Sequence, residues 1–359
     1  MDGIKKAEIS NYRGIDHLSI EDFSRVNVFL GQNSTGKSSV LECLLLLMGM
    51  SNPDLPQLIN SIRSRSFSGF SDLRYMFHDY DLSEKPEMTS ELFDGSIRHV
   101  SLDMTYVFDN QMNPDSQNGK IPTSETKSFL NTLKVVFDVE NNHQKDSFEC
   151  SITSNQQGII SNKKLAEGYL EKNSVAFLSS DLSAGNPVND LVELAKLKRK
   201  DVVIKQLMNF DSRINSLEIL NNVVYVGLEG IDQLLTVNML GDGLRRYLNI
   251  VVASANPINN ILLIDEIENG LHYSAYNKLW KAIFSLAINT NKQVFITTHS
   301  KETLLQLDRM LKENPSYQDS LRLYTIEKTK REGHKAYKLT YDGLHEACLN
   351  DIELRSIVL

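Results

Sequence analysis

The sequence predicts an α/β fold with a mostly parallel core sheet, interrupted mid-chain by an antiparallel β layer and a helical insertion. Three observations carry that expectation. Short all-apolar strands alternate with amphipathic helices at both ends of the chain, the pattern of strands covered on both faces. Residues 51–222 read instead as period-two segments between turn-rich stretches, which suit an antiparallel layer. A composition of 41% hydrophobic and 23% charged residues over 359 positions belongs to a chain able to bury a sizeable core.

Taken in order, strands are expected at 4–10 and 17–20, then a buried strand at 25–30. A Gly-rich turn opens a helix at 37–48, where Val40, Leu41, Leu44, Leu45 and Met48 recur at steps of three and four. Pro53 and Pro56 end it. Turn formers crowd 66–71 and 110–119, and alternation marks strands at 101–108, 132–139 and 147–153. Val203, Leu207, Phe210, Ile214 and Leu217 make one apolar stripe, read as a helix packed on the domain, with a projecting arm as the alternative. Strands follow at 223–228, 234–240, 261–265 and 294–298, with helices at 244–255 and 274–288 between them. The 60 residues after His299 read as a helix, strands at 321–328 and 335–341, and a final helix. The division expected is a discontinuous core (1–50 and 223–320), an insertion (51–222) and a C-terminal unit packed on the core (321–359).

Several classes are disfavoured. Lys and Arg number 38 against 46 Asp and Glu, a formal charge of −8 that gives no general attraction to nucleic acid. Cys43, Cys150 and Cys348 lack C-x-x-C spacing, so neither a disulfide scaffold nor a zinc site is expected, and a cytoplasmic location is. No apolar run is long enough to span a bilayer, and no signal-peptide core follows Lys5 and Lys6; no membrane partner is expected.

The chemistry concentrates in four places. Gly31, Gln32, Asn33, Ser34, Thr35, Gly36, Lys37 and Ser38 fit G-x-x-x-x-G-K-[ST] at every fixed position, between a strand and a helix; Ser39 follows on that helix. Such a loop cradles phosphates with its N–H groups; Lys37 would reach the β- and γ-phosphates and Ser38 would ligate Mg²⁺. The strand at 261–264 delivers Asp265, suited to hold Mg²⁺ through water, and Glu266, suited to polarise the attacking water. Thr297, Thr298, His299 and Ser300 end the next strand, where His299 is placed to bond the γ-phosphate. Gly241, Asp242 and Gly243 precede a helix and read either as a turn with an N-cap or as an anion-binding nest for a phosphate supplied by another subunit.

That order of motifs resembles the ABC-type ATPase superfamily. The opening Ser10-Asn11-Tyr12-Arg13-Gly14, the string Gly241-Asp242-Gly243-x-x-Arg246 and the run from Asp265 to His272 narrow it. They are similar to bacterial AAA-type ATPases grouped with the overcoming-lysogenisation-defect nucleases and, more distantly, to RecF and chromosome-maintenance ATPases. The resemblance covers about 1–50 and 223–305. It implies an ABC-type P-loop head hydrolysing ATP with Mg²⁺, working as a head-to-tail homodimer. Gly241, Asp242 and Gly243 would then act in trans, and Tyr12 and Arg13 would lie near the nucleotide. Gly241 stands where transporter ATPases usually have serine, and no glutamine loop is recognisable at 51–100. The resemblance also implies a motor or sensor in DNA maintenance or anti-phage defence, acting through a separately encoded effector such as a nuclease. Nuclease members carry a Toprim domain of more residues than follow His299, and Asp342, Glu346, Asp351 and Glu353 read as a solvated helix face. Two rivals remain: a transporter-type ATPase subunit, and a nucleotide-gated scaffold with little hydrolysis. Direct contact with DNA or RNA stays open, through the basic run 196–200 or Arg63 and Arg65, each also readable as a solvated face.

Overall fold

A computed structural model describes residues 3–63, 70–108, 129–141, 144–154, 160–181, 187–329 and 333–356. The turn-rich stretch at 110–119, most of that at 66–71, and Arg65 lie outside the described residues.

The chain opens with β1 (Ile4–Tyr12), β2 (Ile15–Ile20) and β3 (Val26–Leu30), followed by helices α1 (Lys37–Met48) and α2 (Leu55–Arg63). Next come β4 (Glu87–Leu92), β5 (Ile97–Phe108), β6 (Phe129–Asn141), β7 (Gln144–Ser154), β8 (Ile160–Lys164) and β9 (Val175–Leu178). Helices α3 (Val188–Lys196) and α4 (Lys200–Phe210) lead to β10 (Ile214–Leu220), β11 (Val223–Leu228) and β12 (Leu235–Thr236). The remainder alternates: α5 (Asp242–Ala255), β13 (Ile261–Ile264), α6 (Tyr276–Asn289), β14 (Gln293–Thr297) and α7 (Lys301–Glu313). It closes with β15 (Leu321–Thr329), β16 (Gly333–Leu339) and α8 (Tyr341–Leu349).

The core sheet runs β16-β15-β3-β14-β13-β9, parallel throughout except for the β15–β16 hairpin. Its inner strands β3, β13 and β14 are buried at every position because both faces are covered. Val28, Leu262, Ile264, Val294 and Ile296 face the helices α5, α6 and α7. Phe29, Ile261, Leu263 and Phe295, one residue out of step, face α1. An antiparallel sheet ordered β2-β1-β4-β5-β6-β7-β8 closes over the other side of α1. Consequently every residue of α1 except Ser38 is buried, and the helix is apolar nearly all round, as burial between two sheets requires.

Sheet membership cuts across the boundaries read from sequence. β1 pairs with β2 on one side and β4 on the other, in the antiparallel sheet rather than with the core strand that follows them. β9, from within 51–222, is a core strand that the sequence reading omits; it is only four residues long.

Four further expectations are corrected. The stripe through Leu217 is not one helix: α4 stops at Phe210, and Ile214 and Leu217 belong to β10. A register shift between Ile214 and Ser216 puts these two residues, three apart, on one buried face, so a β-bulge reproduces helical spacing. The segment 234–240 pairs only at Leu235–Thr236 before a short 3₁₀ turn takes over at Val237–Met239. The helices α3 and α4 pack Leu191, Leu194, Val203 and Leu207 into the core instead of projecting from it. The basic run 196–200 is therefore the turn between two helices, with Lys198 at φ 56°, rather than a helix face. In the tail only Asp342 and Glu346 lie on α8, whereas Asp351 pairs with Lys301 and Glu353 with Arg355. No described helix is long and apolar enough to cross a membrane.

Candidate active site

The parallel register sets the C-terminal ends of β3, β14, β13 and β9 side by side, and the loops leaving them build the site. Between β3 and α1, Gln32, Asn33 and Ser34 are exposed while the chain turns sharply. Gly36 caps α1 with φ 94°, a left-handed geometry that costs glycine nothing. Thr35 Oγ1 donates to the Gln32 carbonyl at 3.0 Å. The Lys37 ammonium lies across this loop, donating to the carbonyls of Gly31 (2.9 Å) and Gln32 (2.6 Å). Burial holds its pKa below the ordinary lysine value. Ser39, one position past Ser38, points the other way, toward Arg63 Nη2 at 3.3 Å.

Three elements meet at Asp265. Ser38 Oγ from α1 donates to its Oδ1 at 2.8 Å, and Thr297 Oγ1 from β14 donates to the same oxygen at 2.6 Å. Thr297 Oγ1 also accepts from the Glu266 N–H at 2.8 Å. Glu266 sits at φ 48°, a strained position for a non-glycine residue. A second clamp holds it there. Buried Arg246 donates through Nη2 to the carbonyls of Asp265 (2.7 Å) and Glu266 (3.2 Å), and through Nη1 to that of Ser179 (2.6 Å). Burial, and then the adjacent Asp265 charge, push the Glu266 carboxyl above the usual carboxylate range.

His299 follows β14. Its Nδ1 lies 3.1 Å from Glu268 Oε1, and its backbone N–H donates to that oxygen at 2.9 Å. Arg355 Nη1 donates to the His299 carbonyl at 2.9 Å, so the C-terminal segment braces this loop. The ring remains about half exposed. A cavity of about 440 Å³ opens beside Ser38, Asp265 and Glu266, lined also by Asn269, Asp181 and Arg63; among the described residues, 31–37 and His299 lie outside its lining.

The remaining sequence-derived candidates sit apart from that cavity's lining. Tyr12 is fully buried, its hydroxyl donating to Glu42 Oε2 at 2.9 Å. Arg13 donates to the same oxygen at 2.6 Å and to Asn60 Oδ1 at 2.9 Å. Both therefore grip α1 one turn beyond Ser38. Gly241 caps α5 at φ 92° and ψ 160°, a region that essentially only glycine occupies. Gly241 and Asp242 are exposed, and Gly243 packs near the Gly270 carbonyl, 3.3 Å from where a Cβ would stand. Sequence reasoning passed over Glu42, Thr297 and Arg246 as contributors to the site. Glu42 had a visible signal, a carboxylate inside an apolar helix; the other two act through contacts that only the sheet order creates.

A profile for the family described as AAA ATPase domain matches residues 3–184 and 189–304. Among curated proteins, an ATP/GTP phosphatase of Helicobacter pylori is 28% identical over 340 residues, 86% of this chain and 89% of the relative. A stretch of 45 residues is 40% identical to the uncharacterized protein MJECL10 of Methanocaldococcus jannaschii, covering 12% of this chain and 20% of that one. In fold the chain resembles an SMC head solved with the C-winged helix domain of ScpA. The TM-score is 0.50 at 10% identity, over 94% of this chain and 98% of that one, a likeness of fold alone. The family profile spans most of the sequence and includes the phosphate loop, the acid pair and His299: the chain belongs to the AAA ATPase domain family and is an ATP-hydrolysing enzyme.

Proposed function

We propose that this ATPase works as a Mg²⁺-dependent ATP-sandwich homodimer whose closure and opening drive a separate effector in DNA maintenance or anti-phage defence. The observation that carries the catalytic half is the shared anchoring of Ser38, Asp265, Thr297 and Glu266 at the end of three adjacent strands. A hydroxyl and a carboxylate oxygen 2.8 Å apart are hard donors that suit Mg²⁺, which takes few protein oxygens and completes its shell with water and phosphate. Mg²⁺ there would neutralise charge on the β- and γ-phosphates. Lys37 and the N–H groups of 31–36 hold the phosphates. Glu266, with raised proton affinity, orients the attacking water and accepts its proton. His299, fixed by Glu268 at one ring nitrogen, offers the other to the γ-phosphate.

The dimeric half rests on Gly241 and Asp242. They are exposed at a helix N-terminus, outside the lining of their own chain's cavity, and beside the exposed side chain of Met239. A partner's phosphates fit that geometry. The effector and the biological setting follow from the family resemblance.

Glu266→Gln tests the reading. ATP binding should persist, turnover should fall about 10²-fold or more as for loss of a general base, and closed dimers should accumulate in sedimentation. Near-normal turnover would remove Glu266 from the mechanism. Wild-type binding without measurable turnover would favour the nucleotide-gated scaffold.

A further inference from the structure

Arg63, the last residue of α2, has no part in the mechanism above. Its Nε donates to Glu42 Oε1, and its Nη2 reaches Ser39 Oγ. Glu42 is almost fully buried, and its other oxygen already accepts from Arg13 and from the Tyr12 hydroxyl. One carboxylate thus holds two guanidiniums. They are not equivalent. The Arg13 side chain is 11% exposed and is also tied to Asn60; that of Arg63 is 42% exposed and borders the cavity over Ser38, Asp265 and Glu266. Among the described residues lining that cavity, Arg63 is the one cation, against the carboxylates Glu42, Asp181, Asp265 and Glu266.

An ion pair with one exposed partner is worth little, whereas a guanidinium matches phosphate oxygens bidentately. Moving Arg63 from Glu42 to a phosphate therefore costs little, because Arg13 and Tyr12 keep the buried Glu42 compensated. Arg13 has no such freedom: its departure would strand a buried charge. We infer that Arg63 is a substrate-contacting residue, which leaves Glu42 Oε1 to engage the terminal phosphate of the bound nucleoside triphosphate. The inference deepens the proposed function and rests on its placing of the distal phosphates in this cavity. It makes the end of α2 a reader of triphosphate against diphosphate, since ADP lacks the group that Arg63 would touch.

Calorimetric titration with Mg-ATP and Mg-ADP, in a Glu266→Gln background that suppresses turnover, tests it. Arg63→Ala should weaken ATP binding about ten- to a hundredfold, as for loss of a charge-assisted contact, and leave ADP binding within about twofold. Arg63→Lys, keeping charge without the fork, should recover part of the ATP affinity. Unchanged ATP affinity in Arg63→Ala, or equal losses for ATP and ADP, would overturn the contact. Lys37→Ala reports on the underlying reading separately. If it bound ATP as tightly as the parent, the cavity would not be the triphosphate site, whatever Arg63 does.

Discussion

Glu266 shows how one residue's surroundings set its chemistry. Its N–H is taken by Thr297, its carbonyl by Arg246, and its φ of 48° turns the side chain out of the strand path. The raised proton affinity has a definite sign in a pH experiment. On the proposed role of Glu266 as base, which must be ionised to act, kcat should rise with pH through a value above the ordinary carboxylate range. For stability the same shift works in reverse. The folded chain holds this proton more tightly than the unfolded one, so the group favours folding at acid pH and that contribution fades as pH rises through the folded value. A kcat profile whose acid limb lies at an ordinary carboxylate pKa, or is unchanged in Glu266→Gln, would assign the limb to another group. The motif residues Lys37, Ser38, Asp265 and Glu266 could be picked out because each stands in a local pattern, a loop or a strand end, and the structure places Ser38 within hydrogen-bond reach of Asp265. Tyr12 and Arg13 were visible only as a family string. Their partner, Glu42, lies about 30 positions away beyond β2, β3 and the loop at 31–36, at a separation no periodicity reports.

At the scale of elements, a buried arginine of α5 reaches the end of β13. Arg246 lies one turn after the Gly241–Gly243 segment and donates to three carbonyls of the segments leaving β9 and β13. Arg246→Met keeps length and removes the donors. Each carbonyl left buried without a partner costs about 1–3 kcal/mol, so the unfolding free energy from denaturant titration is expected to drop by several kcal/mol, together with lost ATPase activity. A variant as stable as the parent would mean that water or a neighbour satisfies those carbonyls. Element type was readable where burial was two-sided or periodicity long: α1 and the strands β3, β13 and β14 were located to within a residue or two. It failed where short-range geometry imitates another period. The bulge in β10 spaced two buried residues like a helix, and β9 is too short for alternation to register.

For the molecule as a whole, the proposal requires each site to be completed by a second copy. Gly243→Arg should block closure while sparing its own phosphate loop, and Lys37→Ala should lose its grip on the phosphates. Mixed, the two give heterodimers with one intact site, Lys37 coming from the first subunit and Gly243 from the second. ATPase activity should reappear in the mixture although each variant alone is inactive. The readout assumes one site can fire alone, so ATP-dependent crosslinking between position 34 of one chain and position 242 of the other, both replaced by cysteine, provides an independent check. A mixture without activity and a crosslink insensitive to ATP would return Gly241–Gly243 to an ordinary helix-capping turn. The α/β class and the presence of an antiparallel layer beside the parallel core were legible from the change in pattern near residue 51. Which strands share a sheet was not, because pairing across hundreds of residues leaves no mark on local sequence.

The position of β3 carries a consequence for biosynthesis. Its two neighbours in the sheet, β14 and β15, are made last among the parallel strands, beginning at Gln293 and Leu321. Until β14 has left the ribosome β3 has two unpaired edges, and until β15 follows it has one, so α1 lacks a completed core sheet on the side away from the antiparallel layer. The phosphate loop between β3 and α1 therefore stays unformed through most of translation, whatever the nucleotide concentration. Non-local pairing of this kind slows folding and prolongs exposure of sticky edges. A nascent chain halted before Gln293 should accordingly be protease-sensitive at the phosphate loop and retained by chaperones, with nucleotide unable to rescue it.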